Sequence, residues 1–90
     1  MKTRFTEADV VFRSLLKELR IKKNLTQAQL ADRLNVPQSY VSKSETGERS
    51  LDFVEANLVC EALGIRLEKF SATFVARLAK TGLSEKKGMH

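Results

Sequence analysis

Residues 26–46, TQAQLADRLNVPQSYVSKSET, decide the fold that this sequence predicts. Thr26 with Gln29 forms a capping box, in which the hydroxyl accepts from the third helical amide and the glutamine side chain reaches back to the cap. The apolar positions that follow suit the buried face of one helix: Ala28, Leu30, Ala31 and Leu34. Only residues 35–37 then separate this helix from a second helical segment over residues 38–45. So short a connection makes two helices meet at a steep angle, and the stretch therefore predicts a helix-turn-helix.

Helical patterns flank this motif on both sides. Thr6 caps a first helix that runs to about residues 22–24, and Asp52 caps a fourth helix that Gly64 closes. A fifth helix follows over about residues 67–80 and ends at Gly82. Apolar residues at helical spacing predict the buried faces of the first and fourth helices: Ala8, Val11, Phe12, Leu15, Leu16 and Leu19, then Phe53, Ala56, Val59, Cys60 and Leu63. Together these patterns predict an all-α protein.

The chain is short enough to form one domain, which we place at residues 1–80 with a flexible tail at residues 81–90. No apolar run approaches the roughly 20 residues that cross a bilayer. The N-terminus lacks the apolar stretch of a signal peptide. The single cysteine cannot form an internal disulfide, so nothing indicates an oxidising compartment. We therefore expect a cytoplasmic protein without membrane contact.

Charge is unevenly distributed along the sequence. The formal net charge is +5. Residues 1–25 hold seven basic and three acidic residues, whereas residues 51–75 hold two basic and four acidic ones. A basic balance favours polyanionic partners, and the asymmetry is expected if one side of the molecule meets phosphate.

The reactive side chains argue against an enzyme. His90 is the only histidine and stands at the end of the sequence, and Cys60 lies on an apolar helical stripe. These two residues therefore do not have a spacing that is recognisable as a catalytic Cys/His dyad. Clusters with metal-ligand spacing and glycine-rich phosphate loops are missing as well. We expect no catalytic residue, no metal and no cofactor.

Three runs resemble the phage Cro/C1 repressor-type helix-turn-helix domain, the XRE family. They are LRIKKNLTQAQLA at residues 19–31, VPQSYVSK at residues 36–43 and ETGER at residues 45–49. The resemblance spans roughly residues 12–70. It implies a five-helix, lambda-repressor-like fold and binding to double-stranded DNA.

The resemblance also implies roles for particular side chains. The third helix would be the recognition helix, entering the major groove with its N-terminus first. Gln38 is similar to the family's glutamine that pairs with adenine, and Lys43 would donate to guanine. The candidate base-reading residues are Gln38, Ser39, Ser42 and Lys43, and the candidate backbone contacts are Gln27, Tyr40, Gly47 and Arg49. On periodicity alone, these four residues are as consistent with an ordinary solvent-exposed helix face as with a base-reading surface.

Arg20 and Glu45 resemble the family's buried ion pair, which joins the first helix to the end of the third. We expect a structural role for this pair. Two residues depart from the family pattern. Ser44 stands where the family usually has a large apolar residue, so either packing is weakened there or a neighbour such as Tyr40 fills the gap. Leu51 replaces a proline that is common before the fourth helix.

The fifth helix carries an apolar stripe of Phe70, Phe74, Val75 and Leu78. This stripe either completes the core or forms a dimer interface. We favour a two-fold homodimer whose recognition helices lie about 34 Å apart on a palindromic operator.

The expected function is transcriptional regulation, as a repressor or autoregulator rather than an activator. The alternative is an antitoxin or another partner-binding protein in which DNA binding is secondary. A protein of that kind would be expected to carry a long extra segment that wraps its partner. Here only residues 1–6 and 81–90 lie outside the predicted helices and their connections.

Overall fold

The computed structural model describes residues 6–81, and this part of the chain folds into five helices without a strand. They are α1 (Glu7–Lys22), α2 (Gln27–Leu34), α3 (Gln38–Thr46), α4 (Phe53–Leu63) and α5 (Leu67–Thr81). The all-α, five-helix prediction is thereby confirmed. Thr81, predicted to begin the tail, is the last residue of α5, and residues 82–90 lie outside the described residues. None of the helices in residues 6–81 combines the length and apolar character that crossing a membrane requires.

Side-chain caps begin three helices at the predicted positions. The Thr6 hydroxyl accepts from the third residue of α1 at 3.1 Å. Thr26 accepts from the Gln29 amide at 3.0 Å, while the Gln29 side chain accepts from the Thr26 amide at 2.9 Å. Asp52 and Glu55 form the same reciprocal pair at 2.7 and 2.9 Å. Each cap satisfies amides that lack a helical acceptor and stabilises its helix by about 1 kcal/mol.

The connection between α2 and α3 is a tight turn built from two conformationally specialised residues. Asn35 takes the left-handed conformation with φ of 62°. The Val36 amide then donates back to Ala31 O at 3.0 Å, which closes the end of α2. Pro37, with φ of −67°, caps the start of α3. Since neither residue continues α2, the chain changes direction within three positions and sets α3 against α2.

The core lies where the faces of all five helices meet. Its buried members are Leu15, Leu16, Leu30, Ala31, Val41, Val59, Cys60, Leu63 and Phe70. The Phe12 ring meets Phe70 and Phe74 edge-on, with centroid distances of 5.8 and 6.1 Å. Burial raises the pKa of the Cys60 thiol, which disfavours the reactive thiolate.

Two residues predicted to be buried are exposed instead, Ala28 and Phe53. Ala28 and Leu30 lie about 200° apart around an α-helix, so they cannot both face the core, and Leu30 is the buried one. Phe53 is the first residue of α4, whose buried residues begin at Ala56, and its side chain is 73% exposed. Both predictions were therefore wrong.

Candidate nucleic-acid interface

One side of α3 carries the four residues expected to read bases. Gln38, Ser39 and Lys43 are exposed and Ser42 is half-buried. Positions 38, 39, 42 and 43 fall within about 140° of the helix circumference. Val41, pointing away from them, is buried in the core. The structure therefore brings the four side chains together on one polar surface.

Gln38, the first residue of this surface, is hydrogen-bonded to a side chain of α2. Gln38 Nε2 donates to Gln27 Oε1 at 3.3 Å, and Gln27 Nε2 donates to Glu45 Oε1 at 2.9 Å. The two glutamines that sequence reasoning assigned to a base and to the DNA backbone are thus hydrogen-bonded to each other. This contact restricts the Gln38 amide at the start of α3, while its side chain remains exposed.

The chain of hydrogen bonds ends in the core at the Arg20–Glu45 pair. Arg20 Nε and Nη2 donate to the two carboxylate oxygens of Glu45 at 2.6 and 3.0 Å, and both side chains are less than 10% exposed. Arg20 Nη1 donates to Leu25 O at 2.8 Å, in the loop before α2. The guanidinium therefore links α1, the loop before α2 and the C-terminal half of α3.

A second arginine, which sequence reasoning missed, packs against the end of α3. Arg13 Nε pairs with Asp9 at 3.1 Å, and its Nη1 donates to Glu45 O at 3.4 Å. A Cβ added at Gly47 would lie 2.8 Å from Arg13 Cζ. The spacing of Asp9 and Arg13 was a visible sequence signal for the helical pair, but nothing local indicated the contact with α3.

Gly47 ends α3 and is a poor candidate for a phosphate contact. It is buried, with φ of 91°, and its amide donates to Lys43 O at 3.1 Å. An amide already committed to a helix carbonyl is not available to DNA. The geometry corrects the expected role: Gly47 allows the left-handed turn and the close approach of Arg13.

Arg49 and Tyr40, two other expected backbone contacts, form one cluster with Glu55. Arg49 Nη2 donates to Glu55 Oε2 at 2.6 Å, and its Cζ lies 4.3 Å from the Tyr40 ring centroid. Burial raises the pKa of Tyr40, and the Glu55 charge adds to this effect. The Arg49 side chain is still 42% exposed, so part of its guanidinium faces solvent.

A small cavity lies beneath α3 at the position of Ser44. Its volume is about 20 Å³, and Ser44 Oγ donates to Tyr40 O at 2.6 Å beside it. The lining residues are Leu16, Leu30, Leu34, Tyr40, Val41, Ser44, Glu45, Leu51 and Val59. Tyr40 and Leu51 therefore cover the gap left by the small side chain without filling it.

The structure divides the apolar stripe of α5 that was expected either to complete the core or to dimerise. Phe70 is 4% exposed and Phe74 is half-buried, both against Phe12. Val75 is 56% exposed and Leu78 is half-buried. Phe70 is buried inside the monomer and cannot belong to a dimer surface, whereas Val75 remains available.

Comparison with known proteins shows which family and fold the chain is similar to. Residues 16–70 match the helix-turn-helix family model HTH_3. An XRE-family like protein from Pseudomonas syringae pv. tomato str. DC3000 is 36% identical, covering 74% of this chain and 85% of that chain, with a TM-score of 0.67. No curated protein matches the chain.

The fold is also similar to that of the restriction-modification controller protein C.Esp1396I. The wild-type structure is 22% identical, covering 82% of this chain and 97% of that chain, with a TM-score of 0.76. The tetramer of C.Esp1396I in complex with its natural 35 base-pair operator gives a TM-score of 0.73 at 22% identity, covering 79% and 93%. Because the family model covers more than half of the sequence, the chain belongs to the Cro/C1-type (XRE) helix-turn-helix family of DNA-binding transcriptional regulators.

Proposed function

We propose that this DNA-binding transcriptional regulator represses or autoregulates transcription by reading a palindromic operator as a homodimer. The observation that carries the proposal is the polar surface of α3, anchored through Gln27 and Glu45 to the buried Arg20. A reading surface must be exposed and held at a fixed angle, because a misplaced side chain loses its hydrogen bonds to base edges.

Reading would use the first turn and the middle of α3. The Gln38 amide has one donor and one acceptor side, which match N6 and N7 of adenine in the major groove. Lys43 would donate to guanine O6 or N7, and Ser39 and Ser42 to base edges or phosphate. A good paired contact of this kind discriminates against the wrong base by about 1–3 kcal/mol.

Contacts to the DNA backbone would flank this surface. Gln27 stands at the first position of α2, where unpaired helix amides favour an anion. Arg49 would keep its hydrogen bond to Glu55 and donate another N–H to phosphate, since guanidinium has five donors. The Tyr40 ring packs against that guanidinium. These contacts would position the protein without specifying sequence.

A homodimer is proposed because one recognition helix covers only a short half-site. Two copies related by a two-fold axis would place their α3 helices about 34 Å apart, one turn of DNA. The similar fold of C.Esp1396I, which binds its operator as a tetramer, supports assembly on DNA. We place the protein in the cytoplasm, with no catalytic activity of its own.

Selection of bound sequences from a random duplex library, at two salt concentrations, tests the proposal. A short enriched palindrome whose affinity falls steeply with salt is expected. The same selection with Gln38→Ala should lose preference at one position of each half-site. Weak, salt-sensitive retention without an enriched motif would contradict the proposal and favour the reading in which a protein partner is primary.

A further inference from the structure

A groove between the end of α1 and the first turns of α5 lies outside the polar surface of α3. Its volume is about 480 Å³. Leu19 and Ile65, both half-buried, are among the apolar side chains that line it. Four exposed cations surround them: Lys22, Lys23, Arg66 and Lys69. We call this site the basic groove.

The positive charge of the basic groove is only partly compensated. Arg66 pairs with Glu68 at 3.0 Å, and both side chains are exposed. Within residues 6–81, none of the three lysines forms an ion pair. Lys22 lies near Glu18, but that carboxylate is already paired with Arg77 at 2.9 Å. Four cations and one paired carboxylate leave an excess of three positive charges, which favours an anionic ligand.

Helix stability explains two of these cations but not the other two. Lys22 and Lys23 stand at the end of α1, where the helix dipole favours a cation. Arg66 immediately precedes α5, and Lys69 is the third residue of that helix. The dipole disfavours a cation at this end of a helix. Since local preferences are most often broken at functional sites, Arg66 and Lys69 indicate a ligand rather than a stabilising role.

The basic groove lies at the opposite end of α4 from Arg49, a proposed contact to the DNA backbone. Lys23 Nζ is 3.9 Å from the position of a Cβ added at Gly64, which ends α4. Arg49 pairs with Glu55 in the first turn of α4. The 11 residues of α4 span about 16 Å from one end to the other. A ligand in the groove therefore leaves Arg49 accessible to phosphate.

The shape and lining of the groove favour an acidic protein segment as its occupant. A small molecule binds best in a site that encloses most of its surface, whereas this groove is open and its cations are exposed. DNA phosphates would use the cations and leave Leu19 and Ile65 without a partner. An amphipathic segment uses both features, because its carboxylates pair with the cations and its apolar side chains cover Leu19 and Ile65. The aliphatic stems of the lysines extend that apolar contact.

We infer that the basic groove docks an acidic amphipathic segment of a partner protein. Lys22 and Lys23 bind the segment from the end of α1, and Arg66 and Lys69 bind it from the start of α5. The inference goes beyond operator binding. Because the groove and Arg49 lie at opposite ends of α4, a regulator bound to DNA can hold the partner at the same time.

Fluorescence anisotropy with the full chain and a labelled synthetic peptide tests this inference. The probe is a helical peptide with leucines every three or four positions and glutamates between them. Two control peptides replace its glutamates by glutamine or its leucines by serine. The wild type should bind the probe about tenfold more tightly than either control, because each control removes one of the two features that the groove recognises.

Lys69→Glu is the groove variant. Lys17→Glu is the matched control, with the same change of charge at an exposed position of α1 outside the groove. Lys69→Glu should weaken probe binding about tenfold, since it turns an attraction into a repulsion. Lys17→Glu should change it less than about twofold, because salt screens a distant exposed charge. The fold should persist, as circular dichroism will check, because the dipole of α5 favours a glutamate at residue 69.

A wild type that does not bind the probe up to about 1 mM would overturn the inference. So would equal binding of the glutamine peptide, or a loss of affinity in Lys17→Glu as large as that in Lys69→Glu. The slope of log affinity for duplex DNA against log salt should be the same in the wild type and both variants. A slope lowered by about one in Lys69→Glu, but not in Lys17→Glu, would assign the groove to DNA phosphate and overturn the inference as well.

Discussion

Arg20 and Glu45 are joined by two parallel hydrogen bonds of 2.6 and 3.0 Å that connect α1 to the C-terminal half of α3. The same carboxylate accepts from Gln27 at 2.9 Å, and Gln27 in turn accepts from Gln38. The Glu45 carboxylate thus accepts both from the buried Arg20 and from Gln27, whose side chain is hydrogen-bonded to Gln38 on the exposed surface. The orientation of α3 therefore depends on a contact made inside the core.

Glu45→Gln should reduce the free energy of unfolding by about 3–5 kcal/mol, because it leaves the buried Arg20 charge uncompensated. Replacing both partners, as Arg20→Met with Glu45→Leu, should recover most of this loss, since no buried charge remains. Urea unfolding at neutral pH measures both. The recovered double variant should still bind DNA less tightly, because Gln27 has lost its acceptor.

The matched control is Glu68→Gln, which breaks an ion pair whose two side chains are 81% and 74% exposed. Exposed pairs contribute little to stability because water screens them. A loss from Glu45→Gln no larger than that from Glu68→Gln would show that the Arg20–Glu45 pair does not hold the domain together.

Local sequence signals predicted most of the fold. The caps at Thr6, Thr26 and Asp52 are determined by residues three positions apart. The turn at residues 35–37 follows from the tolerance of asparagine for the left-handed conformation and from the fixed φ of proline. Such signals need no knowledge of distant contacts, which is why the helix boundaries were predicted to within a residue or two.

The sequence already showed that Ser44 is smaller than the apolar residue usual in the family, but only the structure shows the cavity beside it. Ser44→Val should raise the free energy of unfolding by about 1 kcal/mol, because it adds apolar atoms at the edge of the 20 Å³ cavity. Thermal unfolding measures the gain. Ser39→Val, on the exposed side of the same helix, should give none. Destabilisation by Ser44→Val would mean that the cavity is too small for the extra methyl groups and the site is overpacked.

Gln38→Ala should weaken binding to the preferred operator by about 1–3 kcal/mol and relax the preference at one base pair of each half-site. The reason is the loss of the amide that both donates and accepts at an adenine edge. Titration of the operator and of single-base variants measures this. An unchanged rank order of the variants would show that Gln38 lies outside the reading contact.

Arg49→Ala should weaken binding to all sequences alike and lower the slope of log affinity against log salt by about one. Arg66→Ala is the matched control, since it removes the same charge and a similar carboxylate pair from the start of α5. Its salt slope should match that of the wild type. Equal slopes for all three proteins would place Arg49 away from phosphate.

Among the contacts between distant segments, the Arg20–Glu45 pair was expected from the family resemblance, but others were missed. Arg13 reaches Gly47 across 34 positions, and Phe53 is exposed because no partner helix covers it within residues 6–81. The division of α5 into a core stripe and an outer stripe depends on where α1 lies. Periodicity shows which residues share a helix face, but only packing decides which face is buried.

The acid stability of the domain should depend on Glu55. Its pKa is lowered, first by the hydrogen bond from the Asp52 amide in the capping box and then by Arg49. The folded state thus binds this proton less tightly than the unfolded state, whose pKa lies near 4.5. The resulting stability is fully present above that value and is lost as the pH falls through the lower folded pKa.

Glu55→Gln should therefore flatten the decline in the free energy of unfolding between neutral pH and about pH 3. Glu68→Gln is the comparison: the Glu68 pKa is lowered in the same direction by Arg66, but its side chain is 74% exposed, against 25% for Glu55. Solvent screening should make its effect on the pH profile the smaller of the two. Urea unfolding at a series of pH values measures the three profiles. If the Glu55→Gln profile ran parallel to that of the wild type, the capping box would stabilise α4 equally well with a neutral side chain, and the carboxylate charge would not contribute to acid sensitivity.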